Sequence, residues 1–148
     1  MTHAEKAEEL FRGGANCAQA VLTAFTDVTG LTEEQSMKMA SSFGGGMGRL
    51  REVCGACSAA FLAAGILYGY SDPHDTKAKA DHYALIQSIA EDFRRTHGSI
   101  ICRELLGGSA DSSPAPTERT PGFYRSRPCV NYVRDAADIL DRLIKSRA

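Results

Sequence analysis

Apolar residues recur at three- and four-residue intervals along most of this chain, and no segment shows the one-in, one-out alternation of a strand. Ala4, Ala7, Leu10 and Phe11 predict a short surface helix over 3–12, stopped by Gly13 and Gly14. Asn16 with Gln19 makes a capping-box pattern, and Cys17, Ala20, Val21, Ala24, Phe25 and Val28 then fall on one stripe. Thr32 with Gln35 repeats that pattern ahead of Ala40 and Phe43, and the glycines at 44, 45, 46 and 48 end this third helix.

The stretch 43–70 is the centre of the chain. Its glycine-rich turn leads into a helix predicted over about 53–68, so rich in small and apolar residues on every side that it should be surrounded by other elements. Asp72-Pro73 reads as a cap followed by proline at the first helical position, opening a long amphipathic helix marked by Tyr83, Ile86, Ile89, Ala90 and Phe93 and ending near Gly98. A shorter segment around Cys102 closes at Gly107-Gly108, and 109–122 is a proline-rich loop of the length that covers sites. Pro128 begins a last helix, with Val133, Ala136, Ala137, Leu140, Leu143 and Ile144 inward and Asp135, Asp138, Asp141 and Arg142 toward water. These elements predict an all-α single domain over 1–148, a bundle of five to seven helices around the buried central one.

A length of 148 residues is enough to bury a core without disulfide staples. The formal net charge of -1, with no basic cluster interleaved with aromatics, argues against a nucleic-acid partner. The N-terminus has no apolar leader core, and the longest apolar stretch, 59–70, is too short and glycine-rich to span a bilayer, so a cytoplasmic protein without a membrane partner is expected. Apolar residues left outside a bundle would allow a homo-oligomer.

The chemistry lies in the five cysteines, which in a reducing compartment read as thiols, metal ligands or redox groups. Cys17, Cys54 and Cys129 each fall in the first turn of a predicted helix, where free amides and the helix dipole favour a negative sulfur and a lowered thiol pKa. Arg49, Arg51, Arg103, Arg125 and Arg127 lie near cysteines in sequence and would offset thiolate charge. Taken singly, a cysteine on an apolar stripe is most often a small buried hydrophobe. Cys54 and Cys57 form a C-x-x-C pair on one helix face, but without the βαβ context of a thioredoxin site. The glycine run lacks the preceding strand and Gly-Lys-Ser/Thr ending of a P-loop, and suits close backbone approach better. His3, His74, His82 and His97 show no metal-ligand spacing and read as surface residues, and Ser41, Ser42 and Ser58 have no visible base partner.

The order Cys17, then CGA at 54–56, then Cys102 in CRELLG, then Cys129 opening the last helix resembles the redox-active family named for its C_GCAxxG_C_C pattern, over nearly the whole chain. The resemblance implies a redox-active protein whose characteristic cysteines map to Cys17, Cys54, Cys102 and Cys129, with a bound iron-sulfur cluster. Two positions depart from the pattern: Ala59 stands where its last glycine is expected, and Cys57 is an additional cysteine. The leading reading is therefore an electron-transfer protein or oxidoreductase with an iron-sulfur cluster held by Cys17, Cys54, Cys102 and Cys129, working with a redox partner protein. The alternatives are a cofactor-free thiol-disulfide oxidoreductase with Cys54 attacking and Cys57 resolving, a structural zinc site, and a helical interaction protein with buried thiols.

Overall fold

Capping boxes start the N-terminal helices, each pairing a side-chain oxygen with the backbone three residues on: Thr2 with Glu5, Asn16 with Gln19, and Thr32 with Gln35. The computed structural model describes residues 1–107 and 111–148. In chain order the helices are α1 (His3–Arg12), α2 (Cys17–Ala24), α3 (Thr26–Thr29), α4 (Glu33–Ala40), α5 (Gly55–Tyr68), α6 (Thr76–His97), α7 (Cys102–Leu105), α8 (Pro121–Ser126) and α9 (Cys129–Arg147). The protein is all-α. Six of these helices have eight residues or more, and the three short ones, of four to six residues, are too brief to leave a periodic signature.

Two helices share the centre. α5 is surrounded along most of its length, where Ala56, Cys57, Ala59, Ala60, Ala63 and Ala64 are all but sealed from solvent. Its end after Ala64 emerges, and Ile66 is exposed. α2 is more enclosed than its expected single stripe: Ala18, Ala20, Val21, Leu22, Thr23 and Ala24 are buried on every side, under α1, α4, α5 and α9. Alanines on both helices let the backbones approach, while Phe25, Phe93, Leu22 and Leu140 fill the gaps. Each such side chain contributes about 1.5–3 kcal/mol on burial.

Several boundaries differ from expectation. The long helix begins after Asp75, whose side chain accepts from the Ala78 amide; Asp72 instead accepts from the His74 amide in the preceding turn. α5 starts at Gly55, so Cys54 is its cap residue and not part of its first turn. Pro121 opens α8 inside the segment expected to be loop, capped by Thr120. Gly108 and residues 109–110 of that loop lie outside the described residues.

Two histidines expected at the surface are structural instead. His3 stacks on Phe25 at 4.1 Å and pairs with both Asp27 (2.9 Å) and Asp141 (2.7 Å), tying α1 to α3 and α9. His97 pairs with Asp135 at 2.6 Å, so Asp135 and Asp141 do not simply face water.

Candidate functional site: a cysteine-lined cavity

The cysteines are delivered by elements far apart in sequence, and a few backbone bonds set their positions. Val53 and Ile101 form an isolated antiparallel bridge. Around it the Cys54 amide donates to the Ile100 carbonyl (2.7 Å) and the Cys102 amide to the Glu52 carbonyl (2.6 Å). This fragment of ladder lays Cys54 and Cys102 side by side. Cys17 arrives at the start of α2, held by the Asn16 cap, and Cys129 at the start of α9 behind Pro128.

Cys17, Cys54, Cys102 and Cys129 line one cavity of about 330 Å³. Cys57 does not line it: it is 1% exposed in the core, with its thiol against that of Cys54. Among the described residues, no three His, Cys, Asp or Glu side chains stand in an arrangement that would hold a metal ion.

Glycines make the wall thin enough for the sulfurs. A β-carbon on Gly55 would fall 2.6 Å from Cys17 Sγ and 2.7 Å from the Phe43 carbonyl oxygen. One on Gly46 would meet Cys102 Cβ at 2.7 Å and the backbone of Arg51 and Glu52 at 2.8 Å. The glycine turn is also conformationally costly. Met47, Arg49 and Arg51 adopt left-handed backbone angles that L-residues avoid, at about 1–3 kcal/mol each. The amides of Met47, Arg49, Arg51 and Glu52 all donate back to carbonyls of Phe43 through Gly46, which holds the turn in that shape.

The loop after α7 closes over the site, as its length suggested. Arg49 donates to the Ser113 carbonyl (2.6 Å) and Thr117 Oγ1 (3.1 Å) and pairs with Asp111 (3.3 Å). Arg51 donates from Nε to the Asp111 carbonyl (2.9 Å). Arg119 reaches the carbonyls of Phe11 and Ala15 and lies over the rings of Phe11 (4.5 Å) and Phe123 (4.9 Å). Pro114, Pro116 and Thr117 are thereby held against the cavity.

Arg49, Arg51, Arg119 and Arg127 line the cavity, and no Asp or Glu among the described residues does. Of the arginines near cysteines in sequence, Arg103 instead pairs with Glu52 at 2.8 Å and binds the Leu50 and Arg51 carbonyls, and Arg125 lies outside. Arg119 and Tyr132 were not anticipated; the loop that carries Arg119 and the helix α9 that carries Tyr132 have no local feature that marks these two positions.

The thiols are not acidified by their helix ends. Contact with the Cys54 thiol and burial push Cys17 well above the ordinary thiol value. For Cys54 the donating Cys17 thiol pulls downward, but the Cys57 contact and burial prevail and raise it. Burial raises Cys102 against the pull of Arg51, and raises Cys129 from 9.0 to about 12 against Arg127. Amides of Ala18 and Ala56 at helix starts, and of Gly45 in the glycine turn, do favour the sulfurs, yet removal from water outweighs them.

A stability prediction follows for the protein with free thiols. The folded state holds the Cys129 proton more tightly than the unfolded state, so its contribution is complete below pH 9.0 and is lost between pH 9.0 and about 12. Urea midpoints should be flat from neutral pH to near 9 and fall by pH 10; a midpoint that rises over that last interval contradicts the burial of Cys129.

A family model described as "Putative redox-active protein (C_GCAxxG_C_C)" matches residues 15–143. That range takes in all five cysteines and the loop over them. No curated protein and no solved structure matches the chain.

Proposed function

Since the chain belongs to the C_GCAxxG_C_C family of redox-active proteins, we propose that Cys17, Cys54, Cys102 and Cys129 hold an iron-sulfur cluster in this cavity and that the protein transfers electrons. The observation that carries the reading is the convergence of four cysteines from four separate elements on one cavity that four arginines, and no Asp or Glu among the described residues, line. Four thiolates are the usual complement of such a cluster. Four thiols on one cavity wall, no three of which are arranged around a common point among the described residues, suit a group several atoms across better than one zinc ion, which draws its sulfurs to about 2.3 Å from a single point.

When bound, the cluster supplies one-electron redox chemistry. The chain supplies the rest. Each thiol releases its proton on ligation, and the arginines offset the charge left on the sulfurs. Gly46 and Gly55 keep the wall flush, and the latched loop limits water. Exchange at Cys54 and Cys57 is less well served, because one thiol is pushed up and buried and the other is sealed behind it.

The test is the visible absorption of protein purified without oxygen, before and after a strong reductant, with iron and acid-labile sulfide measured on the same sample. The expected result is a brown protein whose bands bleach on reduction. A colourless protein that carries stoichiometric zinc, or no metal after reconstitution with iron and sulfide, overturns the reading.

A further inference from the structure

We propose that the cysteine cavity contains a binding site for a small oxyanion, formed by Arg51 and Arg127 beside Cys102. Arg51 is 4% exposed, a degree of burial that a guanidinium tolerates only when counter-charge or acceptors surround it. Its Nε is spent on the Asp111 carbonyl, and its Nη1 meets Cys102 Sγ at 3.7 Å. Its Nη2 is buried and has no hydrogen-bond partner among the described residues. The Asp111 carboxylate does not serve it, being engaged by Arg49 and the Ser113 amide.

Arg127 is the second unspent cation on the wall. Its guanidinium rests over the Phe123 ring at 5.1 Å, with no side-chain hydrogen bond or ion pair among the described residues. The other polar groups nearby are committed: Tyr132 donates to the Leu105 carbonyl, Thr117 accepts from Arg49, and Arg119 is spent on backbone carbonyls. The unpartnered Nη2 of Arg51 and the guanidinium of Arg127, in a cavity that no carboxylate residue lines among those described, select an anion. Their planar donors match the oxygens of a carboxylate, sulfate or phosphate group. At about 330 Å³ the cavity admits only a small one. The site is additional to the proposed cluster, since it uses nitrogens and not sulfurs.

The test titrates sulfate, and separately phosphate, into reduced metal-free protein at constant ionic strength set with chloride, read by calorimetry and thermal shift. A saturable isotherm is expected, weakened about tenfold or more by Arg51→Lys, which keeps the charge but loses the second nitrogen, and by Arg127→Gln. Arg125→Gln, outside the cavity, should leave it unchanged. Far-UV circular dichroism establishes that each variant is folded. A response matched by chloride, or one that survives Arg51→Lys and Arg127→Gln alike, means an adventitious ion only and overturns the proposal. Repeating the titration on iron-loaded protein separates the two readings. Sulfate binding to a protein that forms no cluster sinks the cluster alone, whereas loss of binding on loading assigns Arg51 to the cluster and sinks the oxyanion site.

Discussion

Cys54→Ser combined with Cys129→Ser is expected to reduce bound iron and sulfide to background after reconstitution, with loss of visible colour. Cys57→Ala should keep both near the wild-type level. The contrast comes from placement: Cys54 and Cys129 enter the cavity from the starts of α5 and α9, while Cys57 lies in the core with its thiol against that of Cys54. A serine hydroxyl is a poor substitute for a thiolate toward iron, and removing two of four ligands leaves too few to hold a cluster. Cys57→Ala vacates little volume and should cost about 1 kcal/mol of stability. If iron and sulfide are unchanged in the double variant, the cavity is not the cluster site. If Cys57→Ala alone removes them, the extra cysteine is a ligand and the assignment by family position is wrong.

Much of this architecture was legible because it is written in local signals. The boxes at Asn16 and Thr32, the left-handed Gly98 that ends α6, and the inward stripe of α9 each depend on residues within a turn or two of one another. The Pro121 start was equally visible, by the same rule that places Pro128, but six residues beneath a run of Ser, Thr and Pro leave no periodicity to confirm it. Asp72-Pro73 misled for a related reason: an aspartate that caps a turn and one that caps a helix look alike until the backbone is known, and here Asp75 won.

The site was legible only in its inventory. Nothing local announces that Glu52–Cys54 lies beside Ile100–Cys102, because a one-bridge ladder is too short to show alternation. The arginine latch is likewise long-range: Arg49 reaches 64 positions along the chain to Ser113 and Arg51 reaches 60 to Asp111. The expectation of acidic thiols failed on magnitude. A helix end is worth about 0.3–1 kcal/mol when exposed, and burial of a thiolate without a partner costs more. The elevated thiol of Cys129 is chiefly what burial produces, since the neutral form survives loss of water better than the thiolate, and the proposed cluster would have to supply the charge that stabilises the thiolate instead.

The glycine of the CGA motif yields the second large effect. Gly55→Ala should destabilise the protein by about 1–3 kcal/mol and cut cluster incorporation sharply, although alanine is the better helix former and Gly55 has an ordinary helical backbone. Propensity alone predicts stabilisation of about 1 kcal/mol, so the sign of the change decides between the two arguments. The added methyl meets Cys17 Sγ at 2.6 Å on one side and the Phe43 carbonyl at 2.7 Å on the other. The sulfur can swing away, but the carbonyl belongs to the backbone bond that accepts from Met47 and anchors the strained turn. Relief must therefore come from displacing Cys17 or from opening the turn that carries Arg49 and Arg51. Thermal unfolding of the reduced metal-free variant measures the first cost, and iron and sulfide content after reconstitution measures the second. An alanine variant that is more stable and loads fully would mean that Cys17 does not need to lie against α5, and the tight approach of these two helices would lose its functional reason.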